Sequence, residues 1–98
     1  IEAIAALDGY DMLFFGPADF SPGIGTPGDF DNPLLIETRK RIAKVARQHG
    51  KFAATTGSVA DLPELVDMGY SFVSLGADVC AVSDCCNKII EDFNKLSL

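Results

Sequence analysis

Asp19 is the residue of this chain best placed to do chemistry. It follows the apolar run Met12-Leu13-Phe14-Phe15 and the small-residue turn Gly16-Pro17-Ala18. A short apolar run closed by Gly and Pro predicts a buried parallel strand over about Asp11–Phe15. In parallel α/β proteins, ligands and catalytic groups collect at the C-terminal ends of such strands. A carboxylate there can hold a hard cation such as Mg²⁺ or Mn²⁺ through one oxygen. The small residues before it leave the amides of Ala18 and Asp19 open to a ligand carboxylate, and Pro17 stiffens the turn. The plain alternative for Asp19 is a turn or helix N-cap aspartate. One carboxylate does not make a metal site. Asp78 is the candidate for a second acidic ligand, and its simpler role is N-cap of the last helix.

Other patterns carry less. Gly23-Ile24-Gly25-Thr26-Pro27-Gly28 fits G-x-G-x-x-G, but a dinucleotide fingerprint must follow a strand directly and open a helix. Here Pro27 interrupts it and Asp29-Phe30-Asp31-Asn32-Pro33 follows, so the glycines read as turn residues. Arg39, Lys40, Arg41, Lys44 and Arg47 cluster within one predicted helix and read as a solvated face with cations towards its C-terminus. Cys80, Cys85 and Cys86 match no zinc spacing, and the single histidine, His49, is distant in sequence. Free thiols in a reducing cytoplasm are expected, with no catalytic role.

The elements that must position Asp19 alternate. A helix tail over Ile1–Leu7 precedes the first strand. Gly16 to Pro33 shows neither helix nor strand periodicity. A loop that long in a compact domain is usually functional, and Phe20, Ile24 and Phe30 can anchor it. Asn32 as N-cap and Pro33 at N1 open a helix to about His49. A strand over Lys51–Thr56 follows. Ser58, with Asp61 three residues on, is placed to cap the next helix, which Gly69 ends. Ser71–Leu75 is the third strand, and the last helix runs from about Val79 to Leu96. Its residues Val79, Val82, Cys86, Ile89, Phe93 and Leu96 form an a/d seam, suited to packing on another helix, here or in a partner, or on the chain's own sheet.

An internal repeat links the two ends of the chain. Gly9-Tyr10, Gly16 and Asp19 are echoed by Gly69-Tyr70, Gly76 and Asp78. Each copy reads as helix end, strand, turn, acid. Strands alternating with helices give right-handed βαβ units and a parallel sheet. Such a repeat fits alternate strands presenting equivalent positions at one rim. The chain is then either a three-stranded open sheet or the end of a (β/α)8 barrel, and the headless first helix favours the barrel.

Composition narrows the function classes. The chain has 98 residues, 48% hydrophobic and 22% charged, which is globular. A net charge of −6 disfavours nucleic acid, which needs a basic footprint. No apolar run reaches the roughly 20 residues of a membrane span, and no signal peptide is visible.

Phe14-Phe15-Gly16-Pro17-Ala18-Asp19-Phe20-Ser21, the Gly-rich loop, Asn32-Pro33 and Phe72-Val73-Ser74-Leu75-Gly76-Ala77-Asp78 together resemble the HpcH/HpaI aldolase family. The resemblance spans essentially the whole chain. It implies parallel βα units forming the last three strands of a TIM (β/α)8 barrel of the phosphoenolpyruvate/pyruvate type. Residues 1–98 would be one C-terminal segment of a barrel that typically takes about 250 residues. It implies a cytoplasmic carbon-carbon lyase, a class II aldolase cleaving a 2-keto-3-deoxy (4-hydroxy-2-oxo) acid to pyruvate and an aldehyde. It implies a divalent metal ion as Lewis acid, Mg²⁺ or Mn²⁺, with Co²⁺ or Zn²⁺ as further candidates. Asp19 matches the aspartate metal ligand. Gly16, Pro17 and Ala18 match the turn that receives the keto acid, and Thr55 and Ala77 match pocket-lining positions. Thr55 departs from the aliphatic side chain usual there, which bears on the aldehyde half. The family's glutamate ligand, catalytic histidine and pyruvate-binding arginine belong to earlier strands, so no catalytic residue is assigned here, and His49 and Arg39 do not replace them. These 98 residues alone are expected to be inactive. The resemblance also implies a homo-oligomer, possibly a hexamer, joined through the last helix. The rival reading from another class is a small non-catalytic α/β module that docks a partner through that helix.

Overall fold

Backbone hydrogen bonding and side-chain periodicity place three short parallel strands between five helices in a computed structural model that describes residues 1–98. The order is α1 (Glu2–Ala5), β1 (Met12–Phe15), α2 (Pro17–Gly23), α3 (Pro33–Gln48), β2 (Phe52–Gly57), α4 (Leu62–Met68), β3 (Phe72–Leu75) and α5 (Asp78–Asn94). The sheet order is β1-β2-β3 with both neighbouring pairs parallel, so consecutive strands joined by a helix lie side by side. Met12 to Phe15 pair with Phe52 to Thr55, and Ala54 to Gly57 pair with Phe72 to Leu75. The strand ends thus step along the sheet, the stagger that tilted barrel strands require.

The two faces of the sheet differ. Leu13, Ala53 and Val73 pack towards the helices, with Ala43 and Ala46 of α3 and Leu65 of α4. Small side chains at Ala43, Ala46 and Ala53, all fully buried, let α3 lie close on β2. Tyr70 closes this core and donates its hydroxyl to the Arg39 carbonyl at 2.8 Å. Side chains alternate along a strand, so Phe14, Phe52 and Phe72 fall on the other face and are 52%, 60% and 50% exposed. In a closed (β/α)8 barrel that face is the interior.

Three expectations change here. The stretch after Gly16 is not wholly a loop, because Pro17 at N1 nucleates the two-turn helix α2. The absence of apolar periodicity reflects a helix that buries only Pro17 and Ser21. Ser58 does not cap α4: the helix opens at Leu62, and Asp61 reaches back to accept from the Ser58 amide and hydroxyl at 2.7 and 2.8 Å. Asp78 is not the N-cap of α5 either. Ala77 holds that position, and Asp78, one residue inside, accepts the Val79 amide at 2.8 Å.

The last helix does not pack on the sheet of its own chain. None of its residues is buried, and Val79, Val82, Ile89 and Phe93 of its seam are exposed. It draws the molecule out to 63 × 26 × 23 Å. No helix is long and apolar enough to cross a membrane.

Candidate active site

Phe15 ends β1 as a buried residue, 5.4 Å from the Phe20 ring, and so anchors the turn that carries Gly16 to Asp19. Gly16 is the N-cap of α2 and has an extended backbone. A Cβ there would lie 3.1 Å from Asp19 Oδ2. The glycine therefore leaves the space that this carboxylate occupies. Asp19 sits in the first turn of α2, is exposed, and takes part in no side-chain hydrogen bond or salt bridge. First-turn amides of a helix lack intrahelical acceptors, so the amides of Ala18 and Asp19 and the Asp19 carboxylate together form an unsatisfied polar edge.

Beside this turn lies a cleft of about 610 Å³. Pro17 and Ala18 line it from β1–α2, Thr56 and Gly57 from the end of β2, and Ser74 and Ala77 from the end of β3. The cleft therefore joins all three strand ends, as the alternating βα pattern predicts. At the β2 end a Cβ on Gly57 would come within 2.8 Å of Leu65 Cδ1 on α4 and displace the end of that side chain.

The sequence-predicted residues divide. Pro17, Ala18 and Ala77 line the cleft, while Gly16 and Asp19 lie on the turn beside it. Thr55 is the exception. It is fully buried, and its hydroxyl donates to the Phe15 carbonyl at 2.9 Å, tying β2 to the end of β1. Strand alternation turns it to the helix side, and Thr56 takes the place on the cleft that Thr55 was expected to hold. No group of three or more acidic, cysteine or histidine side chains converges. Asp19 thus fits a hard divalent cation as one oxygen donor, and this chain supplies no complete donor set.

The basic helix face also divides. Arg41 contacts Glu2 at 2.8 Å, and this hydrogen-bonded pair holds the Glu2 carboxyl down at about 2. Arg39 turns instead towards the strand ends, lies 5.9 Å from the Phe15 ring centroid and lines the cleft. Periodicity alone did not separate it from the solvated cations around it. The signal was its position three residues after Ile36, which lines the same cleft. Hydrogen bonds from Ser58, with a smaller contribution from the nearby Arg39 charge, hold the Asp61 carboxyl below the usual range. Cys80 lines the cleft, and Cys80, Cys85 and Cys86 are free and exposed.

The loop after α2 is ordered onto this turn. Ser21, fully buried, accepts the Gly28 amide at 3.0 Å, and Asn32 donates to Asp29 at 3.3 Å. Phe30 and Asp31 thereby reach the cleft.

Comparison with known proteins matches this architecture. The family model described as HpcH/HpaI aldolase/citrate lyase matches residues 1–85. A 5-keto-4-deoxy-D-glucarate aldolase of Salmonella paratyphi C (strain RKS4594) is 32% identical over 96 residues, covering 97% of this chain and 38% of that protein. An HpcH/HpaI aldolase from Desulfitobacterium hafniense DCB-2 shares the fold with a TM-score of 0.87 at 24% identity, over 97% of this chain and 38% of that one. A family protein from Burkholderia cenocepacia J2315 has a TM-score of 0.82 and 26% identity, over 96% of this chain and 37% of that one. The chain spans under two-fifths of the length of each of these three relatives.

Proposed function

The chain belongs to the HpcH/HpaI aldolase/citrate lyase family, and from that membership we propose that the whole protein cleaves a 4-hydroxy-2-oxo acid into pyruvate and an aldehyde. One observation carries the reading: a free, exposed carboxylate, Asp19, stands beside unsatisfied amides at a parallel-strand end, next to a cleft that spans the rim. The similarity to proteins named 5-keto-4-deoxy-D-glucarate aldolase supports a sugar-acid substrate. A divalent ion held in part by Asp19 would supply Lewis acidity for charge developing on the keto oxygen.

The chain's own residues do the rest. The amides of Ala18 and Asp19 bind and orient the substrate carboxylate, as donors to an anion. Thr55 fixes the Phe15 carbonyl and hence the base of the turn. Thr56 and Ser74 offer hydroxyls to the departing half of the substrate. The residue that moves the proton from the 4-hydroxyl is not among those of this chain.

Asp19→Asn tests the assignment, because it keeps shape and removes charge. In the whole protein it is expected to abolish metal-dependent pyruvate release and weaken Mn²⁺ binding, with the far-UV circular dichroism retained. Normal turnover with an unchanged Mn²⁺ titration would sink the assignment.

The exposed seam of α5 supports a second element of the reading, that the protein is a homo-oligomer. The occupant of that seam is a second copy of the chain, and the resemblance to a family that assembles through its final helix favours this over an unrelated partner. The physical pressure is plain: a 17-residue amphipathic helix with no buried residue leaves its apolar side in water.

A further inference from the structure

A second cleft, of about 420 Å³, lies at the opposite end of the strands from Asp19. Lys51, Phe52 and Ser71, which line it, stand at the starts of β2 and β3. Arg47, from the last turn of α3, lines it over Gly69. Gly69 ends α4 with a φ of 104°, and a Cβ there would lie 2.8 Å from Arg47 Nη1. The missing side chain thus leaves the guanidinium its bed. Lys51 is held as well: its Nζ donates to the Tyr10 carbonyl at 3.0 Å and lies 3.9 Å from the centroid of the Tyr10 ring. Neither cation forms a salt bridge, and no carboxylate lines the cleft. Lys44 and Lys40 stand one and two turns before Arg47 along α3, also without salt bridges. In a chain of net charge −6, positive charge is concentrated here. The negative ends of α3 and α4 oppose an anion, but their carbonyls are engaged: that of Arg47 accepts the Gly50 amide at 3.1 Å, and that of Val66 accepts the Gly69 amide at 2.9 Å.

We propose that Arg47 and Lys51 form a phosphate-binding site apart from the reaction rim, taking a phosphate dianion as the free ion or as the end group of a monoester. Two positioned cations match two negative charges. The guanidinium fork, the ammonium and the Ser71 hydroxyl supply donors from three side chains, more than the two oxygens of a carboxylate can use and suited to the oxygens of a phosphate. The N-terminal face of a parallel barrel does not carry its reaction. The ligand of this site is therefore not the substrate of the lyase chemistry, and the proposal stands independently of it.

The test is calorimetric titration of the whole protein, with its metal, with inorganic phosphate and with glycerol phosphate. It is run at about pH 8, where both are mainly dianions, and at constant ionic strength. Saturable binding of either ligand that Arg47→Gln weakens by roughly 10- to 100-fold, the range for hydrogen bonds to charged groups, supports the proposal. Lys51→Gln is expected to show a similar loss, and Arg47→Lys, which keeps charge without the fork, to recover part of it. Circular dichroism checks the fold of each variant, and Lys51→Gln decides alone if Arg47→Gln does not fold. Asp19→Asn, at the other end of the strands, is expected to bind phosphate as wild type does. Tighter binding of inorganic phosphate would identify the free ion as the ligand, and equal or tighter binding of glycerol phosphate would identify a monoester. No saturable binding of either ligand by wild type overturns the proposal. So does binding that Arg47→Gln and Lys51→Gln leave unchanged, or that Asp19→Asn abolishes, since the anion would then sit at the rim. Pyruvate release by Arg47→Gln is expected to equal that of wild type, and a whole protein that releases none defeats the aldolase reading while the titration still decides this site.

Discussion

Two adjacent hydroxyls on β2 do different jobs because strand alternation turns them to opposite faces. Thr55 and Thr56 are chemically identical neighbours, yet Thr55 is sealed under the rim and Thr56 faces the cleft. Tyr70 sits 3% exposed under α3 and donates to a main-chain oxygen. Burial pushes its phenol up to about 12, against a small opposing pull from the Arg39 charge. An unfolded tyrosine ionises near pH 10. The folded value is raised, so the contribution of Tyr70 to stability is complete below about pH 10 and is lost as pH climbs from 10 to 12. Tyr70→Phe keeps the ring and removes the proton. It is expected to cost about 1 kcal/mol at neutral pH, the worth of one hydrogen bond. Urea unfolding at pH 9 to 12 should show the variant declining less steeply than wild type. Parallel curves would mean that the phenol is free to ionise in the fold.

At the scale of elements, α3 is the beam on which the site is hung. Its first turn is capped by Asn32, whose Oδ1 accepts the Leu34 amide at 3.0 Å. The same side chain donates to Asp29 in the loop that brings Phe30 and Asp31 to the cleft. Asn32→Ala is expected to cost about 1 kcal/mol, while Asn32→Asp should retain most of the cap and lose the donation to Asp29. Thermal unfolding of both variants distinguishes the cap from the loop contact, since equal losses would place the stability in the loop. The cap and Pro33 were legible in the sequence because capping is local chemistry. The helix α2 was not, because two turns bounded by prolines bury too few residues to show a period. Nor could Ser58 and Asp61 be assigned their places by spacing alone. A three-residue interval serves a capping box and a turn equally, and Pro63 in the first turn sets where α4 begins.

At the scale of the whole molecule, both exposed apolar surfaces point beyond the packed part of the chain. The face of the sheet bearing Phe14, Phe52 and Phe72 is the inner wall of a barrel, and the α5 seam is a helix side without a helix on it. Phe93 of that seam is 63% exposed. Emptying a packed aromatic site costs about 3–5 kcal/mol, which moves an association equilibrium by roughly two to nearly four powers of ten. Phe93→Ala in the whole protein is therefore expected to lower the mass seen by sedimentation at micromolar concentration. An unchanged mass, with thermal stability reduced equally at every concentration, would show that the helix packs within its own subunit and would refute the interface.

The sequence by itself determined the alternation of strands and helices, the parallel sheet and the turn that carries Asp19. These follow from short-range rules: apolar runs, prolines, glycines and caps act over a few residues. The family, too, was readable from the Gly16–Ser21 block and the segment that ends in Asp78. Only the tertiary structure decided which side of β2 faces the cleft, which arginine of a basic helix turns inward, and that α5 leaves its own sheet. Those outcomes depend on packing between residues dozens of positions apart, as when Thr55 meets Phe15 or Arg39 lies against the same ring. A period counted along the chain defines a face, but what that face meets is set by the elements that close on it.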